Sequence, residues 1–243
     1  MKLKKQLPTF AIVVILAAVA YQQQQQSDTA VPADTSRQLG PKRQYDARND
    51  SYSDALKTLW TAVYPHTGKT LYCDAAFSTD NRRERKKYVN AEHIYPMSWV
   101  SRALDCGSRK ACRENSPRFR AIESDLHNIY PALIDVNKAR SNYRFGPVAG
   151  EKRRFGVCDF EVDERKRIAE PPSAKRGEVA RSMLYLSYQY QLPLDKKTQT
   201  LMRRWDGIDP PSDEERRREK IIHREQGREN PFIRRYPFKR TSD

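Results

Sequence analysis

The chain has 243 residues, of which 37% are hydrophobic and 32% charged. That length supports one large domain or two small ones with a sizeable core, and so polar a composition excludes a membrane channel or a lipid-buried protein. The 46 lysines and arginines outnumber the 31 aspartates and glutamates, giving +15 at pH 7 and pointing to an anionic partner such as nucleic acid, acidic polysaccharide or anionic lipid.

Lys2, Lys4 and Lys5 precede the apolar run Phe10 to Ala20, which ends in the small-x-small triplet Ala18-Val19-Ala20. Residues 1–20 therefore read as a signal peptide cleaved near Ala20. The apolar run is about half of the roughly 20 residues that a spanning helix needs, so no stable membrane insertion is expected. Cleavage would remove three lysines and no acid, so the remaining chain stays basic at +12. Tyr21 and five glutamines then open a segment, 21–50, too poor in apolar residues to order itself, and it reads as a flexible Gln-rich linker.

The folded domain is expected over 51–235, followed by a basic tail at 236–243. Ser53 is placed to cap a helix in which Leu56, Leu59 or Trp60, and Val63 recur every three to four residues. Residues 71–170 read as short strands and long loops. Beyond Pro172 the helical period returns, with Val179, Met183, Leu186 and Tyr190 on one face. Asp195 caps a further helix through Leu201, Met202 and Trp205, and Ser212 with Glu215 forms a capping box for a third that Gly227 ends. These aromatic and methionine stripes read as packing.

All four cysteines, Cys73, Cys106, Cys112 and Cys158, lie in the middle segment. An even count in an exported chain points to two disulfides, for which three pairings exist. Structural zinc needs closer pairs than the nearest spacing here, Cys106-x5-Cys112.

Of the four histidines, His66 sits at a turn and His223 in a charged helix, and both are expected to be solvated. His93 lies in Ala91-Glu92-His93-Ile94-Tyr95-Pro96. His127 lies in Asp125-Leu126-His127-Asn128-Ile129-Tyr130-Pro131, which leads into Ala132-Leu133-Ile134-Asp135-Val136-Asn137. Phosphodiester hydrolysis needs a base for water and a cation for the charge gathering on phosphorus. An imidazole suits the first, while a carboxylate with an amide carbonyl suits magnesium, which keeps several waters. Glu92, His93 and Asn137 supply that set. A helix over 131–140 opened by Pro131 would put Asn137 and Arg140 on one face, adding a guanidinium for phosphate.

With these residues in view, the sequence resembles the bacterial endonuclease I family of periplasmic and secreted nucleases, in the His-Me finger or ββα-metal superfamily. The matching stretches are Leu71-Tyr72-Cys73, Glu92-His93-Ile94-Tyr95-Pro96, the Cys106 to Cys112 loop with Arg109, Asp125 to Ile129 through Pro131, Val136-Asn137, Arg140-Ser141-Asn142, Arg176-Gly177, and Gln226-Gly227 through Asn230-Pro231-Phe232. They occur in family order across about 51–235.

The resemblance implies an α+β fold, with a ββα-metal unit embedded in a mainly helical single domain. It implies His93 as general base, Glu92 and Asn137 as ligands of one Mg2+, and Arg109 as the phosphate contact. His127 is expected to be a hydrogen-bonded scaffold residue and Glu123 to orient Arg109. The expected activity is largely sequence-nonspecific endonuclease cleavage of DNA, with RNA also open, leaving 5′-phosphate and 3′-hydroxyl ends. A monomer in the periplasm or outside the cell is expected. From the cysteine positions, Cys73 is expected to pair with Cys158 and Cys106 with Cys112. Ala91 stands where the family usually has tryptophan, Asp74 and Ala75 occupy the region of a usual second cysteine, and the Cys106 loop is short. The rival readings are an RNA-restricted nuclease and a catalytically silent binder of nucleic acid or anionic polysaccharide. The silent binder leaves Glu92, His93 and Asn137 unexplained.

Overall fold

The computed structural model describes residues 51–150 and 153–237. The expected signal peptide, the linker and residues 238–243 of the expected basic tail lie outside the described residues. Helix α1, Tyr52–Thr58, continues as a π-helical turn, Leu59–Val63. Its cap is Ser51 and not Ser53: Ser51 has the extended backbone that a cap needs, and its Oγ accepts from Asp54 N at 3.3 Å, while Ser53 lies within the first turn.

Strands β1 (Thr67–Lys69) and β2 (Ala76–Ser78) form an antiparallel pair. After α2 (Arg82–Tyr88) comes β3 (Val89–His93), which pairs antiparallel with β4 (Ile129–Leu133), with Glu92 opposite Tyr130 and His93 opposite Ile129. Between these strands lie α3 (Met97–Ala103), α4 (Arg109–Asn115) and α5 (Pro117–Glu123), and α6 (Ile134–Arg140) leaves β4 directly. The expectation of strands and long loops over 71–170 is thus corrected by five helices of seven residues each, too short to show a period in a window of eleven or more. Pro131 lies inside β4 and does not open α6.

A second sheet has the order β5 (Arg144–Phe145), β7 (Ile168–Glu170), β6 (Glu161–Asp163), with β5 parallel and β6 antiparallel to β7. The remaining chain is helical: α7 (Arg176–Tyr190) after a 3-10 turn at Ser173–Lys175, α8 (Lys196–Ile208), α9 (Asp213–Gln226) and α10 (Pro231–Arg234). Asp195 caps α8 through Thr198 N, Ser212 and Glu215 form the expected box on α9, and Gly227 ends α9 at φ +66°. More than one face of α7 is buried, because α8 lies across it so closely that a Cβ on Gly177 would stand 2.1 Å from the Asp209 carbonyl oxygen.

The β3–β4 pair separates two apolar cores. Val89 and Ile129 join Leu59, Val63, Phe77 and Ile222 on one side, while Tyr130 and Ala132 join Met183, Tyr185, Met202 and Trp205 on the other. Pleating accounts for this, since successive residues of β4 point to opposite faces. The cysteines pair as expected, Cys73 with Cys158 and Cys106 with Cys112. Among the described residues, no helix is long and apolar enough to cross a membrane.

Candidate active site

A cavity of about 580 Å³ opens at the end of β3, and its walls include Glu92, His93, Arg109, Asn137 and Arg140. Three elements bring these residues together. β3 supplies Glu92 and His93, α6 packs back across β3 with Asn137, and the Cys106–Cys112 disulfide bounds the loop from which Arg109 starts α4. Gly107 turns that loop at φ +83°, and Ser108 caps α4 through Ala111 N at 3.2 Å.

The ends of β3 and β4 are locked by the Asp125–Asn128 segment. Asn128 extends the strand pairing, its Oδ1 accepting from Tyr95 N at 2.7 Å and its Nδ2 donating to Tyr95 O at 3.1 Å. Asp125 accepts from the hydroxyls of Tyr185 and Tyr190 at 2.9 and 2.6 Å. His127 is buried in this knot, with Nε2 3.2 Å from Arg228 O and its ring against Tyr185, away from the cavity wall. Burial pulls its pKa down to about 4. A scaffold role fits these contacts.

His93 is buried, with Nε2 2.9 Å from the backbone oxygen of Glu123. A carbonyl only accepts, so Nε2 carries the hydrogen and Nδ1 keeps the lone pair. Burial lowers the His93 pKa to about 4, against the opposing pull of the Glu123 carbonyl, so the ring is neutral at pH 7.

The Glu123 side chain acts on the other side of the same residue. Its Oε1 accepts from Arg109 Nε at 2.6 Å and Arg113 binds both oxygens, from Nε at 2.7 Å and from Nη2 at 2.8 Å. Burial alone would raise the Glu123 pKa, but the two guanidiniums outweigh it and hold it below the ordinary value. The Glu123 side chain is 1% exposed and that of Arg109 45%, so Arg109 is anchored at Nε while part of it remains open. Tyr52 closes this group, with its ring 5.3 Å from that of His93 and 5.5 Å from each guanidinium carbon.

Glu92 is buried and accepts from Tyr72 Oη at 2.9 Å, with Arg140 Nη1 3.1 Å from the same oxygen. Desolvation raises its pKa, partly offset by Arg140 and Tyr72. Asn137 donates from Nδ2 to Asn90 Oδ1 at 2.9 Å and to Ala91 O at 3.5 Å, which leaves its carbonyl oxygen as the end suited to a cation. Among the described residues, no three of His, Cys, Asp and Glu cluster as a metal site. One carboxylate and one amide oxygen do fit Mg2+, which binds few protein ligands and retains waters.

Arg140 reaches the cavity wall but is tied into the fold. Its side chain is 1% exposed, and it donates to the carbonyl oxygens of His93, at 3.0 Å, and Ile94 while pairing with Glu92. Its guanidinium fastens α6 to the end of β3 instead of presenting a free fork to phosphate. The expected Glu123–Arg109 pairing is present. Sequence reasoning missed Arg113 and Tyr52; Arg113 lies four residues after Arg109, on the same helix face, a spacing that could have drawn attention to it. His66 is exposed with Nδ1 2.8 Å from Asp80, whereas His223 is half-buried and not solvated as expected.

The antiparallel pair β3–β4 and the helix α6 that follows it thus present a carboxylate, an imidazole and an amide to one cavity. Residues 43–236 match the model of the family described as Endonuclease I, and the chain belongs to that family. It is 32% identical over 161 residues to a protein named endonuclease-1 from Buchnera aphidicola (subsp. Acyrthosiphon pisum, strain APS), covering 65% of this chain and 64% of the relative. It is 37% identical over 154 residues to an extracellular deoxyribonuclease of Aeromonas hydrophila, covering 62% and 66%. The matches therefore span slightly under two thirds of these relatives' length. A more distant match, 30% identical over 162 residues, is an extracellular ribonuclease of Bacillus subtilis (strain 168), covering 59% and 50%.

Proposed function

We propose that this protein is a Mg2+-dependent, largely sequence-nonspecific endonuclease that hydrolyses phosphodiester bonds of DNA outside the cytoplasm, leaving 5′-phosphate and 3′-hydroxyl ends. The observation that carries this reading is the meeting of Glu92, His93, Asn137 and Arg109 in one cavity. In this reading β3, β4 and α6 form the ββα-metal unit, and residues 51–235 are the working domain.

His93 Nδ1 takes the proton of the attacking water, while Nε2–H stays on the Glu123 carbonyl and fixes the ring plane. Because the ring is already neutral at pH 7, no proton must leave it first. Arg109, steered by Glu123, meets the phosphate oxygens with the part of its guanidinium that remains open. Glu92 and Asn137 would hold Mg2+, which when bound neutralises charge on the phosphorane and the leaving oxygen. The basic chain adds sequence-independent attraction for the backbone. Export is supported by the signal-like N-terminus and by the name of the Aeromonas relative.

RNA is the second reading, favoured by the Bacillus relative. The test is incubation of the purified mature protein with plasmid, single-stranded DNA and RNA, with Mg2+ and with a chelator. Chelator-sensitive nicking of plasmid supports the proposal, cleavage of RNA alone selects the second reading, and no cleavage of any substrate leaves a silent binder.

A further inference from the structure

Helix α3 has the candidate active site on one flank and a separate cavity of about 440 Å³ on the other. Arg102 lines both. The second cavity is walled by Tyr95, the half-buried Trp99, Pro193 and Asp195, none of which the proposed hydrolysis uses. Tyr95 is fixed by donating its hydroxyl to Pro193 O at 2.8 Å, and Trp99 meets it edge-on at 5.6 Å between centroids. The Asp195 carboxylate already caps α8 and binds the Thr198 hydroxyl at 2.6 Å, so it is a fixed negative rim.

A π-face, an exposed guanidinium and a carboxylate around one hollow suit a nucleobase. The indole can stack on any base, the guanidinium can reach the strand's phosphate, and the carboxylate accepts from exocyclic amino groups while discouraging a phosphate from entering. A helix is about 10–12 Å across with its side chains, roughly three nucleotides of stacked strand at about 3.4 Å each. A strand whose phosphate lies in the first cavity can therefore deliver a base into the second across Arg102.

We infer that the Tyr95–Trp99–Arg102–Asp195 hollow is a subsite for an unpaired nucleobase a few nucleotides from the scissile phosphate. This rests on the nuclease reading and adds to it a preference for single-stranded or frayed substrate, because a base in a duplex must leave its stack to enter.

Two measurements on the full mature chain test it. In the first, kcat/KM is compared on a single-stranded oligonucleotide and its duplex. Trp99→Leu is expected to lower the single-stranded to duplex ratio about 5- to 20-fold, chiefly through KM, while Trp99→Phe, which keeps a ring, holds the ratio near the parental value. A packing defect lowers both rates alike, so an unchanged ratio in Trp99→Leu overturns the subsite. In the second, adenosine 5′-monophosphate is titrated in chelator and tryptophan fluorescence is read. Quenching present in the parent and absent in Trp99→Phe supports the subsite; no quenching, or quenching that persists in Trp99→Phe, overturns it. This readout needs no cleavage, so a parent that cuts nothing refutes the nuclease reading while the subsite is still judged by the titration.

Discussion

The two disulfides close loops of very different length, and that difference predicts different consequences for stability and rate. Cys106 and Cys112 are 6 residues apart and Cys73 and Cys158 are 85 apart. Loop-closure entropy assigns roughly 2 kcal/mol to the short loop and between about 4 and 5 kcal/mol to the long one. The larger figure is a sizeable fraction of the ~5–15 kcal/mol that holds a typical domain together. Arg109 lies inside the short loop, while the long bridge adjoins Tyr72, whose hydroxyl holds Glu92. The Cys106→Ser, Cys112→Ser double variant should therefore lose only about 2 kcal/mol but about 10- to 100-fold in kcat, since small displacements of a positioning group cost that much. The Cys73→Ser, Cys158→Ser variant should lose about twice the stability or more, and any rate lost per folded molecule should pass through Glu92 and so return in part at high Mg2+. Guanidinium unfolding followed by circular dichroism, with plasmid cleavage corrected for the folded fraction, separates the two. Equal stability losses, or a short-loop variant with parental kcat, would refute the reasoning.

Glu123→Gln removes the charge that holds Arg109 and Arg113 but keeps the backbone carbonyl on His93, so it should lower kcat about tenfold or more with only a small change in Mg2+ dependence; a strongly raised Mg2+ requirement would argue against this division of labour. Glu92→Ala and Asn137→Ala should lose rate that partly returns at high Mg2+, measured by titrating the ion, and a loss that no Mg2+ concentration relieves would remove them as ligands. His127 has a folded pKa near 4 against about 6.5 unfolded, so the unfolded chain binds more protons between those values; stability is complete above pH 6.5 and falls as pH drops toward 4, by roughly 3 kcal/mol from this group. His127→Gln should flatten that part of the stability curve, and an identical slope in parent and variant would contradict the assignment.

The parts of the fold that were legible in the sequence are those with local chemistry. Asp195, the Ser212–Glu215 box and Gly227 act through their own backbone neighbours and were found where the structure has them. Helix α9 shows what such reading misses. It buries Glu215, Arg218, Glu219, Ile222 and Gln226 at helical spacing, a face of mostly polar groups that an apolar period cannot reveal. Arg218 lies there over the Tyr130 ring, 3.9 Å from its centroid, and donates to Tyr64 Oη at 2.9 Å. At the candidate site, Glu92, His93 and Asn137 were singled out by donor type, and the fold brings them to one cavity. The ties of Arg140 to the carbonyls of His93 and Ile94 were not legible, because they arise only when α6 packs against the end of β3. Tyr52 was not legible because only tertiary packing brings it from α1 to His93.

In the proposed reaction His93 Nδ1 is the base of a metal-assisted hydrolysis. The most direct test of this role is His93→Ala, confirmed folded by circular dichroism, assayed for plasmid cleavage in Mg2+ and for DNA binding in chelator. Cleavage is expected to fall about 10²–10⁴-fold, a loss that added Mg2+ does not relieve, while binding is retained. Cleavage at the parental rate by the folded variant would contradict this role.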